Sequence, residues 1–204
     1  VPAASKPPVT PKNVDDTIES RILDAALTQF ELVGFKKTTV EDVARRAGVD
    51  RVTVYRRVGS RDDLVQAVVS REVGRVLAEL AQLPARHDDA GDLVAEMFVT
   101  VLTRWRTHAL AQRMLTLEPE RVIASLTTGG STAFTMSVAA SAAAMEQAIA
   151  RGLLPEVPDV MTRMEIACRV VHSFILLPDI TVRFESEAEM ADFARGYLLP
   201  ILTA

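Results

Sequence analysis

The chain has 204 residues, a formal net charge of −4, 49% hydrophobic and 5% aromatic residues, and a single cysteine, Cys168. That length permits a sizeable apolar core, whereas one cysteine excludes an internal disulfide framework or a Cys-rich zinc module and fits a reducing cytoplasm. No stretch reaches the roughly 18 uninterrupted apolar residues of a membrane span, so a soluble, cytoplasmic protein with no membrane partner is expected.

Charge is unevenly distributed. Residues 36–61 hold eight Lys or Arg against three Asp or Glu, whereas residues 81–204 hold ten against fifteen. A basic patch close to the N-terminus attracts polyanions, and the acidic remainder avoids them. Residues 1–14 open with four prolines and no continuous apolar run, and read as a disordered arm. Lys6 and Lys12 on that arm are read as solvated, with entry into a DNA minor groove as the alternative.

Periodicity makes the rest helical. Ile18, Ile22, Ala26, Phe30 and Val33 share one face of a first helix over about 17–33, with Asp15, Asp16 or Thr17 as its cap and Gly34 as its stop. Thr39 is placed to cap a second helix, with Asp42 as the acid of a weak capping box, and Gly48 ends it. Asp50 caps a third, Arg51-Val52-Thr53-Val54-Tyr55-Arg56-Arg57-Val58, in which Val54 and Val58 face inward. Two short helices joined by a tight Gly-containing turn have the grammar of a helix-turn-helix. Gly59 and Ser60 then lead into a long helix over about 61–82, with Asp62 and Asp63 in its first turn.

A polar break from Pro84 to Gly91 precedes a fifth helix carrying Leu93, Met97, Phe98, Val101 and Trp105. Further helices are expected at about 110–126, 131–151, 159–177 and 187–203, parted by Gly129-Gly130, by 152–158 and by 178–186.

The run from Thr39 to Leu64, with Thr53, Val54 and Tyr55 ahead of the basic pair Arg56-Arg57, then Gly59-Ser60 and Arg61, resembles the DNA-binding signature of the tetracycline-repressor (TetR) family over about residues 15–75. The resemblance implies an all-α fold of about nine helices. In it, a three-helix head is linked by a long helix to a helical domain that binds a ligand and dimerises through its last two helices. The corresponding boundaries are 15–62 for the head and 63–204 for the body. The chain departs from many relatives at Arg57-Val58, where they carry His-Phe, and at Asp50, where they carry Ser or Thr. Its operator is therefore not borrowed from any of them.

On this reading Arg51, Val52, Thr53, Arg56 and Arg57 face base edges in a major groove, each arginine reading guanine or only neutralising a phosphate. Thr39, Tyr55 and Arg61 look placed for phosphates, with Tyr55 alternatively a core residue with a wet tip. Lys36 and Lys37 are further backbone candidates. The expected partners are a pseudo-palindromic duplex operator, a second copy of the chain and a small, mostly apolar effector. For the effector, Met97, Phe98, Val101, Trp105, Phe134, Met164 and Phe174 are suitable linings. For the dimer, Met164, Val171, Phe174 and Ile175 would meet Phe193, Ala194 and Tyr197.

An enzyme is the weaker alternative. His87, His108 and His172 are scattered, no phosphate loop, His-Glu-x-x-His or Gly-x-Ser-x-Gly is present, and Cys168 lies within an apolar stripe. No catalytic residue, metal or cofactor is expected. A nonspecific architectural DNA binder and an activator remain open beside the repressor.

Overall fold

The computed structural model describes residues 14–127, 132–177 and 181–204, all helix and connection. The expected arm lies outside the described residues, with Lys6 and Lys12, except for its last residue, Val14, which is helical; Gly129-Gly130 and Pro178-Asp179 also lie outside them. The chain divides into two compact units, Val1–Val68 and Val69–Ala204.

The first unit holds α1 (Val14–Val33), α2 (Val40–Ala47), α3 (Arg51–Val58) and the opening turns of α4 (Arg61–Leu80). Its core is built from Ile22, Ala26 and Phe30 on α1, Val43 on α2, Val54 on α3 and Leu64 and Val68 on α4, all essentially inaccessible to solvent. The spacing of these residues places them on one face of each helix, and each such side chain removed from water contributes about 1.5–3 kcal/mol. Phe35 follows the Gly34 stop and folds back edge-on to Phe30, ring centroids 4.7 Å apart. α1 begins at Val14, three residues earlier than expected, so Asp15, Asp16 and Thr17, expected as its cap, fall inside the helix.

In the second unit a 3₁₀ turn, Leu83–Ala85, leads to α5 (Ala90–Thr107), α6 (Ala109–Leu117), α7 (Pro119–Thr127), α8 (Thr132–Ala150) and α9 (Val160–Leu176). The last run is α10 (Glu187–Phe193), a π-helical stretch Ala194–Leu198 and α11 (Leu199–Thr203). Three expectations are corrected. Pro84 to Gly91 is less a polar break than a turn with its apolar members inside: Leu83, Pro84 and Gly91 are buried, and α5 starts where the Asp89 carboxylate accepts from the Asp92 amide at 2.9 Å. The single helix expected over 110–126 is two, because Pro119 excludes Glu118 from helical geometry, leaving it at φ −142°, ψ 54°. The last helix is not uniformly α-helical, since the π stretch interrupts it.

The Ala- and Ser-rich α8 packs along α9; Ala142, Ala144, Ala148 and Ser141 are buried, small enough to let the two backbones approach. α5 lies against α9 and the last run. There Phe98 is surrounded by Phe174, Phe184 and Phe193, at centroid distances of 5.9, 5.7 and 5.5 Å. Polar ties fix the same helices: Arg195 reaches Asp92 at 2.9 Å, and Arg163 donates to the Ile201 carbonyl at 2.8 Å. Among the described residues no helix is long and apolar enough to cross a membrane.

Candidate nucleic-acid interface

The geometry of the head follows from its caps. Thr39, extended at φ −104°, accepts the Asp42 amide on its hydroxyl at 3.1 Å, and the Asp42 carboxylate accepts from the Thr39 amide at 3.3 Å. The capping box is thus complete with Asp in place of the longer acid. At the other end of α2, Gly48 adopts a left-handed φ of +66° and its amide returns to the last turn of the helix. Three residues therefore suffice for the turn: Asp50 already caps α3, its carboxylate accepting the Thr53 amide at 2.6 Å. Gly59, at φ +100°, closes α3. Ser60 and Asp63 then cap α4 reciprocally, at 2.8 Å from the Ser60 amide and 3.2 Å from that of Asp63. These hydrogen bonds hold the three carboxylates below the usual range: Thr39 acts on Asp42, the Thr53 amide on Asp50, and Ser60 on Asp63.

Locked at both ends, α3 buries Val54 and turns the rest outward. Arg51, Val52, Tyr55 and Arg56 are exposed, Thr53, Arg57 and Val58 half-buried. Val52 is 72% exposed and Tyr55 41%. Arg51 donates from Nη2 to the Tyr55 hydroxyl oxygen at 3.0 Å, and its guanidinium carbon lies 5.2 Å from the ring centroid. The hydroxyl holds the Arg51 pKa above its ordinary value.

The phosphate candidates divide. Thr39 is exposed at the N-terminus of α2, where amides and dipole favour an anion. Tyr55 is exposed, its hydroxyl oxygen accepting from Arg51. Arg61 instead turns inward, donating from Nε to the Thr38 carbonyl at 3.0 Å and from Nη2 to that of Phe35. Lys36 and Lys37 are exposed on the same connection. Two features were not legible in the sequence. Arg21 of α1 caps α2 by donating to the Ala47 carbonyl, and Arg46 stands exposed in the last turn of α2. Contacts across 26 residues leave no local pattern, although Arg46 belongs to the counted basic patch.

In the second unit the effector candidates separate. Met97, Phe98, Val101, Met164 and Phe174 share one apolar core. Trp105 lies half-buried on α5, its carbonyl accepting from Gln112. Phe134 is elsewhere, its ring 5.3 Å from that of His172 and under the Arg169 guanidinium at 5.5 Å. Of the dimer candidates, Met164 and Ala194 are buried in their own unit, while Val171, Phe174, Ile175 and Phe193 are half-buried against it. Tyr197 is 66% exposed. Met161 and Ile166 on α9, and Leu177 just after it, add exposed apolar surface that sequence reasoning passed over.

The two capped helices, the tight left-handed turn and the outward basic face of the second helix define a helix-turn-helix protein. Residues 22–68 match the model of bacterial regulatory proteins of the tetR family, so the head is a DNA-binding domain of that family. An uncharacterised HTH-type transcriptional regulator of Mycobacterium bovis is 34% identical over 102 residues, covering 50% of this chain and 52% of the relative. A second uncharacterised HTH-type regulator, from Bacillus subtilis, is 35% identical over 51 residues, 25% of this chain and 27% of its own. The chain thus spans about half the length, or less, of these curated relatives. The fold extends further than the sequence likeness. The TetR family repressor AlkX from Dietzia, implicated in biodegradation of n-alkanes, superposes with a TM-score of 0.71 at 22% identity, over 90% of this chain and 94% of its own. The R. erythropolis transcriptional repressor QsdR, of the TetR family, gives 0.66 at 20%, over 93% and 97%. RolR in complex with resorcinol gives 0.63 at 12%, over 93% and 89%.

Proposed function

We propose that this protein is a sequence-specific transcriptional repressor that binds a pseudo-palindromic operator as a homodimer and is released by a small, mostly apolar ligand. The observation that carries the reading is the outward face of α3, where Arg51, Val52, Thr53, Tyr55 and Arg56 surround a helix pinned from within by Val54. A helix fits the major groove of B-DNA, and base edges there distinguish all four pairs. Thr39 at the α2 N-terminus and the Tyr55 hydroxyl supply backbone contacts that set the register, while Arg51, Val52, Thr53, Arg56 and Arg57 supply readout or charge.

One head contacts too few base pairs for tight selection. Two heads related by a two-fold axis would read half-sites about 34–36 Å apart. The exposed apolar residues Tyr197 of the last run, Met161 and Ile166 of α9 and Leu177 just after it are candidates for the surface offered to a second copy, beside Val171, Ile175 and Phe193. Effector binding belongs to the second unit, among Met97, Phe98, Val101 and Phe174, with Trp105 and Phe134 outside that core. The resorcinol of RolR and the alkane association of AlkX support a small, mostly apolar effector. Such a ligand acts by favouring a body conformation in which the two heads no longer match adjacent grooves.

The test is selection of duplexes from a randomised library by the purified chain, followed by sizing of the complex. The expected result is an inverted repeat occupied by two copies. Retention of all sequences alike would replace the repressor by an architectural DNA binder.

A further inference from the structure

We infer that Arg51 is the guanine reader of this head, that Tyr55 positions it, and that Val52 beside it reads an adjoining thymine, so that each half-site contains a guanine next to a thymine. The inference rests on the DNA-binding reading above and assigns chemistry within it.

Position comes first. Arg51 is the first residue of α3, directly after the Asp50 cap, whereas Arg56 and Arg57 belong to the last turn. Residues at the N-terminal end of a recognition helix are those that reach base edges. A cation at this end also opposes the helix dipole, which favours carboxylates there and cations at the other end. The helix dipole therefore does not explain Arg51, and Asp50 already provides the cap.

Geometry comes second. Arg51 is held by a side chain of its own helix, one turn on, through the 3.0 Å hydrogen bond to Tyr55 and the approach of its guanidinium to the ring at 5.2 Å. The pair restricts a long side chain before any ligand arrives, and less freedom is then lost on binding. A guanidinium has five N–H donors in a rigid fork. One goes to Tyr55, and enough remain to meet O6 and N7 of guanine together. Because the Tyr55 oxygen is the acceptor, its own O–H proton stays available to a phosphate. Tyr55 thereby ties the backbone contact to the base contact.

Val52 completes the assignment. It is 72% exposed, adjacent to Arg51, and its methyl groups match the C5 methyl of thymine, the one apolar feature of the major groove. Arg57 is half-buried, and Arg56, exposed like Arg51, lies in the last turn of the helix, away from the end that reaches base edges.

The experiment measures affinities of the intact chain and of Arg51→Ala, Arg51→Lys and Tyr55→Phe for the selected duplex and for duplexes changed one pair at a time, at two salt concentrations. Circular dichroism melting first verifies that each variant is folded. Arg51→Ala and Arg51→Lys are expected to lose about tenfold to a hundredfold of discrimination at one G·C pair, with the salt slope unchanged for Lys. Replacing that guanine by its N7-deaza analogue weakens the wild type and not Arg51→Ala. Tyr55→Phe loses part of the discrimination at the same pair, and Arg51→Ala with Tyr55→Phe loses no more there than Arg51→Ala alone. A uniform loss on all sequences, with a salt slope shallower by about 0.9, would make Arg51 a phosphate anchor and overturn the assignment. Tyr55→Phe with full discrimination at that pair would overturn the positioning role. A wild type that selects no sequence would overturn the DNA-regulator reading itself, an outcome distinct from both.

Discussion

Arg61, the first residue of α4, donates from Nε to the Thr38 carbonyl at 3.0 Å and from Nη2 to the Phe35 carbonyl, across more than 20 residues of chain. It thus satisfies backbone acceptors of the α1–α2 connection, the segment that delivers Thr39 to its capping position. Arg61→Ala should destabilise the head by about 1–2 kcal/mol, a charge-assisted pair discounted for partial exposure. Thermal unfolding of the variant checks this. An unchanged melting temperature together with a shallower salt dependence of DNA binding would return Arg61 to the phosphates.

Gly48 should be irreplaceable and Gly74 improvable. Gly48 sits at φ +66°, and an added Cβ would lie 3.1 Å from Arg21 Nη2, the group that caps α2. Gly48→Ala should cost about 1–2 kcal/mol. Gly74, inside α4, has nothing within 4 Å of an added Cβ, so Gly74→Ala should gain up to about 1 kcal/mol. Denaturant titration of the two variants should give shifts of opposite sign; shifts of the same sign would contradict the assigned turn.

Phe98 is the hub of the aromatic cluster on α5. Phe98→Ala should cost about 3–5 kcal/mol, the range for a fully buried aromatic leaving a cavity. Phe134→Ala, at a half-buried position, should cost clearly less. Calorimetry distinguishes them, and equal losses would show that Phe134 packs as core in solution.

His172 carries a pH dependence. Burial, then the nearby Arg169, holds its imidazole below 6.5, and its Nε2 is buried with no hydrogen-bond partner among the described residues. The folded state therefore resists a proton that the unfolded chain accepts at about 6.5. Stability from this group is present above that pH and is lost as pH falls toward the lower folded value. His172→Phe should remove this loss and leave stability at neutral pH equal or higher, because an unsatisfied polar atom disappears. Melting curves at successive pH values below 7 test it; parallel curves for wild type and variant would contradict it.

Most of the head was legible because its signals are local. Thr39, Gly48, Asp50 and Gly59 are caps whose partners lie within a few residues, so α2 and α3 fall where the sequence places them. The acidic partner of Thr39 was underrated, because Asp42 completes the box despite its shorter side chain. What the sequence concealed was long-range or competitive. Arg61, expected at a phosphate, donates to the carbonyls of residues 35 and 38. Pro119 cut a periodic stretch whose apolar spacing continued through it. In the second unit, apolar stripes on α9 and the last run do not reveal which members face inward: Ala194 and Tyr197 are three residues apart, one buried and the other mostly exposed. The compact head also extends past residue 62 to Val68, since Leu64, Val65 and Val68 of α4 are buried.

The most direct test of the account is the ratio of affinities of the intact chain for its selected duplex and for random duplex at physiological salt. A sequence-specific repressor predicts a ratio of about 1,000 or more, with affinity falling steeply as salt rises because several phosphates are neutralised. A ratio near one would contradict it, leaving α3 a basic helix that holds DNA without reading it.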